Sequence, residues 1–132
     1  MTDIAVRPTR TSPLTSRQRA ALRTQLEVDR ERTRILIATG SEDLDAFVSA
    51  RRDTATDDEH DPEGPTLAFE RSQSSAILDA SLQHVAEIDA ALVRMDEGEY
   101  GLCTNCGRDI ALGRLQARPQ AAHCISCAER VR

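Results

Sequence analysis

Two pairs of cysteines constrain this chain more than any other feature. They read "CTNC" at 103–106 and "CISC" at 124–127, with seventeen residues between the pairs. Two residues between thiols let one tight turn aim both sulfurs at a single point. Two such turns complete a tetrahedral set of four thiolates, the arrangement that Zn²⁺ favours. Cys103, Cys106, Cys124 and Cys127 are therefore the expected ligands of one structural zinc. Four thiolates leave no open position for water or substrate, which argues against a catalytic metal. A redox pair would need only one such turn and a βαβ surround, and no such pattern flanks these cysteines. Gly107, directly after the second cysteine, suits a turn with positive φ. His123, beside Cys124, is expected to be a bystander.

The remainder has little to build a globular core with. Aromatic residues make up 2% of the 132, namely Phe47, Phe69 and Tyr100, and large cores draw heavily on such side chains. The apolar residues instead follow helical periods. "TSRQ" at 15–18 is a capping box, in which Thr15 and Gln18 satisfy each other's backbone N–H groups. From it a helix is expected to run to Ala38, with Leu22, Leu26, Thr33 and Leu36 along one face and Asp29 as a weak member. Gly40-Ser41 is expected to interrupt it. A second piece then restarts at "SEDLDAFVSARR", with Leu44, Phe47 and Val48 on its apolar face. The clearest helix spans about Thr66 to Glu97. Leu78, Val85 and Leu92 recur every seven residues there, Leu82, Ile88 and Met95 fill the alternate positions, and Gly98 is the stop. A striped helix of this length needs a partner. The segment 15–52 is the one the chain offers, which predicts a mainly α fold: an antiparallel helical hairpin, or coiled coil, attached to a small four-Cys zinc finger. An intermolecular coiled coil is the alternative.

This arrangement divides the chain into a polar, disordered N-terminal arm (1–14), a hairpin (15–97) whose tip lies near 53–65, and a finger (98–132). The tip is acidic. Residues 41–70 carry a net −8 out of a whole-chain net charge of −5, and "DDEHDPEGP" at 57–65 places Asp57, Asp58, Glu59, Asp61 and Glu63 at the turn. A chain this acidic is a poor general DNA binder, because phosphate binding rests on many positive contacts. A DNA-reading finger of the same cysteine spacing would also need a basic tail, and only "AERVR" follows Cys127. DNA binding and a zinc-stapled coiled-coil scaffold are the alternatives carried forward. No signal-peptide core and no run of eighteen apolar residues occurs, so a soluble, cytoplasmic protein without membrane contact is expected. His60 is expected to be solvated and His84 to be a packing residue. No nucleophile–base pair or phosphate loop is present, and the acids of a turn lack the fixed geometry that general acid–base chemistry needs. A non-enzyme is expected.

The run "GEYGLCTNCGRDIALGRLQARPQAAHCISCAER" at 98–130 closely resembles the zinc finger of the DksA/TraR family. The pieces that carry the likeness are "GEYG", "CG", "RLQARP" and "CISCAER", with "ALVRMDEG" preceding them. The resemblance implies a long coiled coil on a four-Cys finger, and a transcription regulator that binds bacterial RNA polymerase through its secondary channel. It further implies that acidic tip residues act near the polymerase active centre, without sequence-specific DNA binding and, in some members, together with ppGpp. A monomer is expected. The family's tip motif is D-x-x-D-x-A; here Asp58 and Asp61 keep the spacing, Glu63 stands in place of Ala, and Pro62 precedes it. No basic cluster maps residue by residue onto an alarmone site. The tip stretch is similar to that of shorter DksA-like proteins common in actinobacteria.

Overall fold

The computed structural model describes residues 11–53 and 64–130, leaving aside the side chains of 47, 48, 50–53 and 64. Phe47, Val48 and the acidic tip at 57–63 thus lie outside the description. The architecture is an antiparallel helical hairpin with a four-Cys finger. Four helices follow in order: α1 (Ser16–Asp53), α2 (Gly64–Asp96), α3 (Leu112–Ala117) and α4 (Ile125–Arg130). Among the described residues there is no strand, only a single antiparallel bridge between Leu102 and Asp109. No described helix is long and apolar enough to cross a membrane.

The helix ends follow local chemistry. Gln18 Oε1 accepts from Thr15 N–H at 2.9 Å while Thr15 Oγ1 accepts from Gln18 N–H at 3.1 Å, the reciprocal capping box. Pro65 sits in the first turn of α2, where a missing N–H costs nothing. At the other end Gly98 adopts φ +77. Its N–H bonds to Met95 O at 3.2 Å, and Glu99 N–H bonds to Arg94 O at 2.8 Å. This is a Schellman stop, satisfying two carbonyls that the helix leaves open.

Two expectations are corrected here. Gly40-Ser41 does not interrupt α1, which continues through it. A helical glycine costs about 1 kcal/mol relative to alanine, too little to stop a helix already propagating on both sides. Leu78 packs over Gly40, with its Cδ1 4.0 Å from where a Cβ would stand. The N-terminal arm, in turn, does not stay free up to residue 14. Ser12 and Leu14 are buried, because Leu14 has an apolar cluster within reach.

The chain divides into two units, one of Met1–Leu26 with Ile88–Arg132 and one of Glu27–Glu87. The first holds the core, in which Leu14, Leu22 and Leu26 meet Ile88, Ala91, Tyr100, Ile110 and Leu115 together with Cys103 and Cys127. Arg23 pairs with Asp96 at 2.8 Å on its surface.

The second unit is a thinner helix pair with a polar seam. Buried Thr33 and half-buried Ile37, Gly40 and Leu44 line it from α1; Ser74, Leu78, Ser81, His84 and Val85 line it from α2. Leu36 (64% exposed) and Leu82 (49%) face outward. Their expected seam positions belong to the neighbouring Ile37 and Ser81, since one residue turns ~100° around a helix of ~3.6 residues per turn. At the centre His84 Nε2 meets Asp29 Oδ2 at 2.8 Å, and Thr33 Oγ1 donates to Asp29 O at 2.7 Å. His84 is a seam residue with a named partner. Both ring and carboxylate keep some solvent contact, so the pair contributes little beyond specifying which residues face each other. Replacing Asp29 and His84 together by Leu should stabilise the helix pair by about 0.5–2 kcal/mol, whereas either change alone should destabilise it by about 1 kcal/mol. Urea unfolding followed at 222 nm reads both. A double variant no more stable than wild type would show that the pair adds more than register.

Candidate metal centre

The finger builds its site from two loops. After the Schellman stop the chain turns at Gly101 (φ +92), and Ile110 N–H bonds back to Gly101 O at 2.8 Å. Between them Cys103 N–H reaches Arg108 O (2.8 Å) and Gly107 N–H reaches Cys103 O (2.9 Å). These bonds close the first knuckle, with Gly107 at φ +73 as its cysteine spacing anticipates. The second knuckle leads into α4, where Ala128 N–H bonds Cys124 O at 2.9 Å. The loops are tied together by Thr104, whose N–H and Oγ1 both donate to Ala122 O, at 2.8 and 3.2 Å.

The four sulfurs of Cys103, Cys106, Cys124 and Cys127 all lie within 4.8 Å of one another, and Cys106 Sγ is 3.7 Å from Cys124 Sγ. A tetrahedron of sulfurs at the Zn–S distance of ~2.3 Å has edges of ~3.8 Å. The cage is therefore the size that Zn²⁺ requires. Its burial is lopsided: Cys103 and Cys127 are buried in the core, Cys124 is half-buried and Cys106 is exposed. His123 is not part of the cluster; its backbone carbonyl accepts from Arg114 Nε at 2.9 Å.

The thiols differ in acidity. Burial is the largest single influence on Cys103 and opposes its ionisation. The backbone N–H groups of Cys106, Cys124 and Asn105 and the Cys106 thiol together outweigh it and lower Cys103 to about 6. Cys124 is also lowered, chiefly by the backbone N–H of Cys127. For Cys127 the Asn105 amide (Nδ2–Sγ 3.4 Å) favours the thiolate, but the Cys124 sulfur, burial and the remaining sulfurs push it up to about 11. Four like groups in one small space cannot all ionise unaided. A bound Zn²⁺ supplies the missing charge and holds its thiols deprotonated. The donor set, its spacing and the N–H groups aimed at the sulfurs thus fit one structural zinc.

Residues 98–132 match the family model described as the prokaryotic dksA/traR C4-type zinc finger. Residues 98–132 are a zinc finger of the DksA/TraR C4 type. Curated relatives agree over the same region. A DksA/TraR-like stretch of 46 residues is 44% identical to the "RNA polymerase-binding transcription factor DksA" of Caulobacter vibrioides, covering 35% of this chain and 32% of the relative. A stretch of 43 residues is 37% identical to the protein of the same description in Escherichia coli K12, covering 33% and 28%. An uncharacterized protein of Aquifex aeolicus is 47% identical over 45 residues, 34% of this chain and 31% of that one. The matched stretch spans about a third of the length of these curated relatives. The structural likeness reaches further. The transcription factor DksA2 of Pseudomonas aeruginosa superposes with a TM-score of 0.70 at 25% identity, covering 88% of this chain and 84% of that one. The likeness in fold thus extends beyond the finger to the helices.

Sequence reasoning missed what fastens this DksA/TraR finger to its helices. Tyr100 is 2% exposed, and its hydroxyl donates to Pro119 O at 2.8 Å. Gln25 Nε2 donates to Gln116 O at 2.9 Å. Arg94 Nη2 reaches Gln120 O at 3.5 Å, and burial lowers the Arg94 pKa against the opposing pull of Tyr100 and Glu99. A lone tyrosine just before a knuckle, in a chain with no tryptophan, was the available signal. Burial, opposed by Arg94, pushes the Tyr100 phenol up to about 12. A folded-state value above the usual ~10 favours the fold below pH ~10, and that stability is lost as pH rises through ~12. With one tyrosine and no tryptophan, absorbance at 295 nm reads this directly. Native protein should ionise well above the denatured chain; coincident curves would show that Tyr100 is not buried.

Proposed function

We propose that this protein binds bacterial RNA polymerase through its secondary channel and modulates transcription initiation, as a non-catalytic regulator. The observation that carries the reading is the likeness to DksA2 over 88% of the chain, joined to a DksA/TraR finger at 98–132. Relatives sharing that finger are described as RNA polymerase-binding transcription factors. On this reading the finger is a base, the hairpin at 15–97 presents a tip near 53–65, and Asp57, Asp58, Glu59, Asp61 and Glu63 face the polymerase. Carboxylates there would act on a centre rich in Mg²⁺ and basic side chains, favouring cation binding or competing for the groups that position substrate. The protein acts in the cytoplasm as a monomer, without reading DNA sequence. Glu63 in the position of the family's alanine separates polymerase binding from the particular effect on initiation, and from any dependence on ppGpp.

The test compares wild type with a variant carrying Asp57→Asn, Asp58→Asn and Asp61→Asn. Binding to purified polymerase should stay within about threefold, because rim charges contribute little affinity, while the effect on abortive initiation is lost. Failure of wild type to bind polymerase would overturn the reading in favour of a zinc-stapled scaffold.

A further inference from the structure

We propose that Ser12–Leu14 form a strap that holds the first zinc knuckle closed and sets the rate at which metal leaves it. The segment belongs to a polar stretch ahead of the first helix, yet Ser12 and Leu14 are 6% and 8% exposed. They press on Gly101. A Cβ at that glycine would stand 2.4 Å from Ser12 Oγ and 3.0 Å from Leu14 Cδ1, so backbone and strap meet with no room for a side chain.

Gly101 is the root of the knuckle. Its carbonyl holds Ile110 N–H, its neighbour Leu102 bridges to Asp109, and Cys103 follows two residues on. Leu14 shares one apolar cluster with Cys103 and Cys127, the two buried ligands. The strap is held in shape from both sides. Ser12 Oγ accepts from Leu14 N–H at 3.4 Å, Pro13 stiffens the link, and Thr15 is the cap of α1.

A metal held by four thiolates departs as ligands swing away in turn. Cys106 is exposed, whereas Cys103 is enclosed. Cys103 can leave only if the backbone from Gly101 shifts, and that backbone has the strap against it. Lifting the strap is therefore the local opening that release requires, far smaller than unfolding the unit. The inference rests on the zinc site and is independent of polymerase binding.

The experiment uses the full-length, zinc-loaded protein mixed with excess 4-(2-pyridylazo)resorcinol, following zinc transfer by absorbance. Leu14→Ala should release zinc at least about tenfold faster and Leu14→Val, which keeps most of the contact, about threefold faster. Deleting residues 1–10 should leave the rate unchanged. Amide exchange on Leu14→Val should speed up at Ile110, whose N–H bonds Gly101 O, and not along α2. Release within about twofold of wild type in both Leu14 variants would overturn the proposal, as would equal acceleration by the 1–10 deletion or a uniform loss of protection through α2. If Leu14→Ala fails to fold, Leu14→Val decides.

Discussion

Removing zinc from this protein should expose Tyr100 to solvent while much of the helical signal survives. The finger owns few apolar residues, and structural zinc in such modules supplies about 10–16 kcal/mol of apparent binding free energy. That is comparable to the whole stability of a small domain, about 5–15 kcal/mol. Chelation, or Cys103→Ser, should therefore unfold the loops and the two six-residue helices α3 and α4. It should also loosen the first unit's portions of α1 and α2, because Leu22, Leu26, Ile88 and Ala91 pack in the same cluster as the ligands Cys103 and Cys127. The helix pair of the second unit has its own seam and should keep its ellipticity at 222 nm. Acrylamide quenching of tyrosine fluorescence gives the first half of the result and circular dichroism the second. Tyr100 as protected after chelation as before would mean that the finger folds without metal.

Gly101→Ala should be the most damaging single change that leaves every zinc ligand in place. Two independent costs coincide there. An L-residue at φ +92 is strained by about 1–3 kcal/mol. Its Cβ would also meet Ser12 Oγ at 2.4 Å and Leu14 Cδ1 at 3.0 Å, and overpacking of this kind costs about 1–3 kcal/mol more. Gly98 and Gly107 share the positive φ but face open space, so alanine there carries the backbone strain alone. Denaturant unfolding monitored through Tyr100 should rank Gly101→Ala well below the other two. Equal losses at all three glycines would show that the strap yields to a methyl group without cost.

The parts of this structure that could be read beforehand are those set by a few adjacent residues. The cysteine spacing announced the cage, Thr15 and Gln18 announced the start of α1, and Gly98 announced the end of α2. Each is a local device whose partners lie within a few positions. Tertiary contacts decided the rest. Gly40 looked like a break until Leu78 on the other helix was in place. Leu82 looked like a seam residue because it is apolar, yet the seam there takes Ser81, next to the His84–Asp29 pair. Leu14 looked like part of a tail because nothing near it in sequence is apolar enough to hold it; the cluster it joins is drawn from distant parts of the chain. The tip acids were legible as chemistry and not as structure, and they lie outside the described residues.

The shared core also bears on how such a protein can be taken apart. The recognisable family sequence begins at residue 98, which invites treating the finger as a cassette to be grafted onto other helices. A graft cut at that point carries away all four ligands but leaves behind Leu14, Leu22, Leu26, Ile88 and Ala91, half of the cluster in which two of those ligands are buried. A transplant that is to keep its metal must bring the opening turns of α1 and the closing turns of α2 along with it.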